Sequence, residues 1–336
     1  MGVTDRAVDV LVLGAGVAGL TTAVCLAEAG LRVLIRAAQP PERTTSAVAG
    51  AIWGPHLVER SDRVTRWCAD TLGTLLSLAG QPGTGIELRR GREAVRASDG
   101  VPSPGGPLAA LGEISPCAAA DLPPGFVAGW WYTAPVVCMP VYLDYLLGRF
   151  RQAGGGLRIE PAASLAAAAT STAAPVLVNC TGTGAHQLVP DPGVIPYRGQ
   201  VVVAENPGVT EFFIGQPDDA HELVYVFPHA DRVVLGGTEV AGDWSAEPRP
   251  GTADRILRDC AAVDPRLATV RVIEHRVGFR PFRPQVRLEA APTGAVDGAG
   301  PRLLVHNYGH GGAGVTLSWG CAREVASLVR QSAAAP

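Results

Sequence analysis

Val10-Leu11-Val12-Leu13-Gly14-Ala15-Gly16-Val17-Ala18-Gly19 stands near the start of the chain, and an apolar-periodic stretch follows it as far as Gly30. A short apolar run, a glycine turn and a periodic segment closed by glycine predict a strand, a turn and a helix in that order. Gly14 permits the tight turn, Gly16 lets the backbone approach a pyrophosphate, and Gly19 lets the helix pack on the strand. The helix start, with Ala15, Val17 and Ala18 between the glycines, offers unpaired N–H groups and a partial positive charge to phosphates. A second strand is predicted at residues 32–35. The pattern points to a dinucleotide site, with an ordinary glycine turn in a βαβ unit as the plainer alternative.

The motif does not choose between FAD and NAD(P). The acid that holds ribose hydroxyls, expected roughly 20 residues on, is absent, and Arg36, Ala37 and Ala38 stand in its place. An arginine there can receive the 2′-phosphate of NADP, so the first sixty residues also permit a dehydrogenase.

Bulk properties narrow the class. The chain has 336 residues, of which 47% are hydrophobic and 18% charged, so it can bury a large core. A net charge of −3 leaves no electrostatic footprint for nucleic acid. No apolar run reaches the roughly 20 residues of a membrane span. The amino terminus is acidic and does not read as a secretory signal, so a cytoplasmic location is expected. The seven cysteines are scattered, with no C-x-x-C pair, which predicts buried thiols and neither a disulfide framework nor a metal site. All 28 basic residues are arginine. Chemistry that requires a lysine is thereby excluded: a Schiff base, a P-loop, or lysine-assisted oxygen activation.

Further along, proline and glycine clusters at 81–84, 101–107 and 123–125 break up the hundred residues after the second strand, which predicts short strands and loops there. Helices are expected over 141–152, 252–262 and 315–330. Strands are expected over 175–179, 201–204, 223–227, 232–235 and 302–305. The alanine-rich stretch 162–174 reads as a surface helix or loop.

Three more segments carry chemistry. Thr44-Thr45-Ser46-Ala47-Val48-Ala49-Gly50-Ala51-Ile52-Trp53 sets small hydroxyl residues and glycine where they can approach a pyrophosphate and a flat ring. Val277-Gly278-Phe279-Arg280-Pro281-Phe282-Arg283-Pro284 holds two arginines in a proline-stiffened frame. His306-Asn307-Tyr308-Gly309-His310-Gly311-Gly312-Ala313-Gly314-Val315-Thr316 is a second glycine turn leading into a helix, able to aim N–H groups and a helix dipole at an electron-rich ring edge.

With Asn179-Cys180-Thr181-Gly182, Arg198-Gly199-Gln200, Tyr225, Pro228, Gly236-Gly237 and Gly242-Asp243-Trp244, these segments resemble the D-amino-acid oxidase family over about residues 8 to 330. The resemblance implies an α/β fold: a Rossmann-type FAD-binding domain, of the glutathione-reductase-like kind, and a second, mixed-sheet domain over the flavin. By that likeness residues 1–55, 143–192 and 283–336 bind FAD, while 56–142 and 193–282 form the substrate and interface domain. It implies oxidative deamination of a small D-amino acid by hydride transfer to flavin N5, with O2 reduced to H2O2 and a keto acid and ammonia formed. D-aspartate, a specialised amine, or a dehydrogenase that avoids O2 are the alternatives. The partners implied are the amino acid and O2, and a homodimer is compatible with them.

The likeness also assigns residues. Arg280 receives the substrate carboxylate, Tyr225 donates to the same group, and the Gly312 carbonyl accepts from the amine. Ile52 lines the substrate side. Cofactor contacts are implied at Gly14 to Gly19, Arg36, Ala37, Thr44, Thr45, Ser46, Gly50, Ala51, Ile52, Ala163, Cys180, Thr181, Gly182, Arg280, Gly309, His310, Gly311, Gly312, Gly314, Val315 and Thr316. Arginine suits the first role because its fork makes two parallel bonds to a carboxylate. An internal salt bridge is the plain alternative for Arg280, as a strand aromatic is for Tyr225. Arg283 and Arg287 read as structural, paired with acids such as Glu289. Vertebrate members carry a second pocket tyrosine where this chain has His221, which opens the D-aspartate reading. His310 is rejected as a general base, because in that turn the backbone is the useful part.

Overall fold

A computed structural model describes residues 8–96, 106–218, 222–291 and 301–334. Strand β1 (Val10–Leu13) is buried throughout, and Gly14, at φ +106°, turns the chain into helix α1 (Val17–Glu28). Gly30, at φ +89°, closes that helix in the left-handed region, and β2 (Val33–Ala37) returns parallel to β1.

Next come α2 (Thr45–Val48), β3 (Ala51–Ile52), α3 (Asp62–Leu78), β4 (Ile86–Val95), β5 (Ser115–Pro116), β6 (Ala128–Val137), α4 (Met139–Gln152) and β7 (Gly156–Ile159). The middle of the chain adds α5 (Leu165–Thr170), β8 (Val176–Asn179), α6 (Ala185–Leu188), β9 (Ile195–Glu205), β10 (Phe212–Gly215), β11 (Val224–Pro228), β12 (Arg232–Gly236) and β13 (Val240–Ala241). It closes with α7 (Pro250–Val263), β14 (Val272–Ala291), β15 (Leu303–His310) and α8 (Gly314–Ala334).

Among the described residues these strands form one 15-stranded sheet. Its nucleotide end is the parallel set β7-β2-β1-β8-β15. Strand β14 runs antiparallel to β15 on one side and to β9 on the other, so it joins the two halves. Beyond β9 lie β12, β11 and β10 in antiparallel order, then β4 and β6. Helices α1, α3, α4 and α8 share one apolar core that includes Leu20, Trp67, Tyr142 and Trp319, and the Trp319 indole donates to Tyr142 Oη at 2.7 Å. This is the expected mixed α/β architecture with a Rossmann-type half.

Three local expectations change. The 17-residue helix α3 lies in the region read as short strands and loops. Its signal is present: Ser61 Oγ accepts from Val64 N at its start, and Val64, Trp67, Cys68, Thr71, Leu72, Leu75 and Leu78 are buried at helical spacing. Prolines and glycines downstream, from Gly80 to Gly85, obscure that signal in the sequence. Strand β14 runs for 20 residues through Pro281 and Pro284; Pro281 stays in register with Pro196 of β9, and a register shift against β15 between Phe282 and Arg287 spans Pro284. Strand β15 continues to His310, so the second glycine turn is confined to Gly311–Ala313. The alanine-rich stretch holds only the six-residue α5.

Candidate active site

A cavity of about 770 Å³ runs from the carboxyl ends of β1 and β2, past α2 and β3, to the face of β10 and β11. Ligands of open α/β sheets gather at such strand ends, where connections leave in opposite directions.

At the nucleotide end the walls are bare backbone. A β-carbon on Gly14 would run into the Cys180 carbonyl oxygen, and one on Gly19 into that of Gly14, so the turn, β8 and α1 close on one another only because both are glycine. Gly16 faces Ser46, whose Oγ accepts from Val17 N at 3.0 Å. That bond marks the helix start as an acceptor-seeking site. Thr45 Oγ1 accepts from Phe279 N at 3.2 Å, and Thr44 Oγ1 donates to Pro41 O at 2.7 Å, which locks the hydroxyl segment against β14. Ala15, Val17, Ala18, Ala37, Thr44, Gly50 and Ala51 also line the cavity, as do Cys180, Thr181 and Gly182 after β8. Thr181 is fixed by Asn179 Oδ1, which accepts from its N–H at 3.2 Å and its hydroxyl at 2.7 Å.

Arg36 lines this end but its guanidinium is engaged. It donates to Ser171 Oγ at 2.6 Å and to Pro161 O at 3.1 Å, and pairs with Glu160 at 2.9 Å. Those bonds fasten β2 to the β7–α5 connection. A 2′-phosphate would have to displace them.

At the other end Arg280, on β14, donates from Nη1 to Thr238 O at 2.8 Å. Gly199, two residues beyond the register partner of Arg280 on β9, leaves the space for it: a β-carbon there would lie 2.7 Å from Nη1. The Tyr225 ring lies against Gly236 and Gly237 and stacks on Phe227 with centroids 4.6 Å apart. Burial pushes its phenol up to about 12, although the Arg280 charge and hydrogen bond pull the other way, so the hydroxyl stays a neutral donor. Gly311, at φ +56°, swings the chain so that Gly312 enters the cavity beside His56. A backbone bond of 2.9 Å from Gly311 N to Pro281 O ties this turn to the strand carrying Arg280. Ile52 lines the same chamber.

His56 pairs with Glu239, which neither motif nor spacing marks in the sequence. Burial raises the Glu239 carboxyl, but the bond and charge of His56 and the charge of Arg280 outweigh it and hold it below its ordinary value. His310 lines the cavity, yet its Nε2 is 3.0 Å from Asn307 Oδ1 and burial lowers its pKa to about 4. A neutral, engaged ring is no general base.

Gly314 and Val315 reach the cavity from the start of α8, but Gly19, Gly309, Thr316 and Ala163 stand outside its lining. Gly19 packs α1 on the turn, and Gly309 lies over the Arg283 side chain. Thr316 Oγ1 donates to Gly54 O at 2.9 Å, and the exposed Ala163 gives way to Ala162 as the wall residue. His221 lies outside the described residues. Arg287 pairs with Glu289 at 2.8 Å as expected, whereas Arg283 pairs with Asp191 at 3.1 Å. Sequence reasoning missed His56, Glu239, Glu93 and Gln216 because distant strands bring them together.

Residues 9–328 match the family model described as FAD dependent oxidoreductase (DAO). The chain is 47% identical over 320 residues to a D-amino-acid oxidase of Rubrobacter xylanophilus, covering 95% of this chain and 94% of that one. It is 44% identical to a D-amino-acid oxidase of Streptomyces coelicolor, with 96% and 97% covered. Among solved structures, glycine oxidase from Geobacillus kaustophilus superposes with a TM-score of 0.78 at 19% identity, over 96% of this chain and 95% of the other, which supports the fold. The residues present fit FAD, since one cavity of about 770 Å³ joins a glycine cradle without β-carbons to the chamber lined by Ile52, Tyr225 and Arg280. The chain belongs to the D-amino-acid-oxidase-type family of FAD-dependent oxidoreductases.

Proposed function

We propose that the protein oxidatively deaminates a D-amino acid, with Arg280, Tyr225 and Gly312 holding the substrate. One observation carries the reading: a guanidinium and a neutral phenol share a chamber with a backbone turn, at the far end of a dinucleotide cradle. Arg280 and Tyr225 hold the carboxylate, and the Gly312 carbonyl accepts from the amine. Ile52 borders the chamber. Among the described residues His310 is too engaged to act as a base, so the substrate enters with its amine neutral. Catalysis then rests on alignment of the α-carbon and on exclusion of water. FAD, when bound, would supply the two-electron acceptor: the amino acid would lose two electrons and two protons to leave as an imine, which water converts to a keto acid and ammonia, and dioxygen would take the same electrons and protons to become hydrogen peroxide.

The cofactor roles carry over to Gly14, Gly16, Ser46 and their neighbours in the wall. The division into an FAD-binding part (1–55, 143–192, 283–336) and a covering part (56–142, 193–282) belongs to the same reading, with α3 reaching from the second part into the helical core of the first. On resemblance alone, the reading extends to dioxygen as acceptor, a cytoplasmic location and a homodimer. Mixing the purified yellow protein anaerobically with D- and L-amino acids tests it. Loss of the oxidised-flavin absorbance with D-amino acids alone is expected, and no bleaching by any D-amino acid overturns the reading.

A further inference from the structure

Glu93, Ile214 and Tyr225 form one row across the sheet. The register places Glu93 of β4 beside Ile214 of β10, and Ile214 beside Tyr225 of β11, and all three line the cavity. Partners in register on adjacent strands share a face, and neighbouring strands lie about 4.8 Å apart, so Glu93 stands about 10 Å from the tyrosine. Ile214 fills the interval with an apolar wall, and Leu223 lines the same cavity.

The carboxylate is held in place. Tyr132 Oη donates to Glu93 Oε2 at 3.0 Å, and Gln216 Nε2 donates to Oε1 at 2.6 Å. Both donors are uncharged, so they orient the group without cancelling its charge. A carboxylate has about four lone-pair sites, which leaves one on each oxygen for a ligand. Gln216 is itself fixed through its backbone N–H, which donates to Ala94 O at 2.9 Å. The other acid near the chamber, Glu239, is already paired with His56.

We infer that Glu93 selects substrates with a cationic side chain, so that D-lysine and D-arginine are favoured over uncharged D-amino acids of the same length. This rests on the reading above that Arg280 and Tyr225 hold the α-carboxylate. An extended lysine side chain carries its ammonium about 6 Å beyond the α-carbon, which spans the distance left once the carboxylate is clamped. The methylenes lie along Ile214 while the charged end meets Glu93, the usual division of a long basic side chain. The same carboxylate repels D-aspartate and D-glutamate.

Peroxide formation by the holoenzyme, measured with D-lysine, D-arginine, D-norleucine and D-aspartate, tests the inference. Norleucine keeps the length of lysine and lacks only its charge. The expected result is a kcat/KM for D-lysine about tenfold or more above that for D-norleucine, with D-aspartate the poorest. In Glu93→Gln the lysine-to-norleucine ratio falls by about the same factor. Flavin content, read from absorbance, verifies that this variant is folded. Equal or better use of D-norleucine by the native enzyme overturns the inference whatever the variant does. So does a ratio unmoved in folded Glu93→Gln. Turnover of neutral D-amino acids with no cationic preference leaves the oxidase reading standing and removes only the role of Glu93, whereas no turnover of any D-amino acid removes both.

Discussion

Gly199 and Arg280 lie on a diagonal of the β9–β14 ladder, Gly199 pairing with Gly278 and Arg280 with Tyr197, and the guanidinium occupies the place a side chain on Gly199 would take, with Nη1 2.7 Å from the position of a β-carbon. The clamp is therefore set by a missing atom as much as by the arginine. Gly199→Ala pushes the guanidinium out of line while leaving its charge in the chamber. The expected outcome is a KM raised about tenfold, equal to about 1.4 kcal/mol of binding, with a smaller change in kcat. Steady-state kinetics with a single D-amino acid reads it, and an unaltered KM means the fork is not confined as described.

Removing the guanidinium costs more. Arg280→Leu takes one partner from a desolvated charge pair, which is expected to weaken transition-state binding of a carboxylate substrate by about 2–5 kcal/mol. Primary amines without a carboxylate serve as the control, since their rates do not depend on this residue. Unchanged kcat/KM for amino acids would place the carboxylate elsewhere.

The cradle gives a third expectation. A β-carbon at Gly19 meets the Gly14 carbonyl oxygen, a backbone atom that cannot swing aside. Gly19→Ala is expected to cost about 1–3 kcal/mol through overpacking, and to weaken FAD retention by shifting the Gly14–Val17 turn. Gel filtration followed by the ratio of flavin to protein absorbance measures the loss. Full flavin occupancy with an unchanged Tm contradicts the packing described.

Acid should destabilise the fold before most carboxylates titrate. Burial lowers the pKa of His229, His306 and His310 to about 4 each, so the folded protein keeps them neutral where the unfolded chain takes up protons. Stability from these groups is intact above the unfolded value near 6.5 and is lost as pH falls from there towards 4. The loss reaches about 2–3 kcal/mol per histidine at the bottom of that window. Thermal melts between pH 8 and 4.5 read the slope. A Tm that is flat down to pH 5 rules out buried neutral imidazoles.

What was legible in the chain follows from where the information sits. Gly14, Gly16 and Gly19 act through their own backbone, so a local motif exposes them, and Arg280 stands out because Gly278 and two prolines surround it. Helix α3 was readable from Ser61 and the spacing from Val64 to Leu78, yet nearby prolines and glycines drew the reading towards loops. Glu93 lies on β4 and Gln216 just after β10, and Glu239 and His56 are 183 residues apart. No periodicity encodes such a meeting, since it exists only after the sheet has closed. Arg36 shows the opposite error: a plausible phosphate ligand by position, it is engaged by Ser171, Pro161 and Glu160, which are far from it in sequence.

The bond from Gly311 N to Pro281 O has an evolutionary side. Under the proposed function each partner sits next to a residue that holds substrate, Gly312 or Arg280, so the anchor for an amino acid's common portion joins β14 to the turn that follows β15. On the same reading the variable portion of the substrate looks instead towards β10 and β4, the fourth and fifth strands from β14. Descendants of such a scaffold can trade side chains at the outer strands and acquire new diets, while the alignment of the bond that breaks is inherited unaltered.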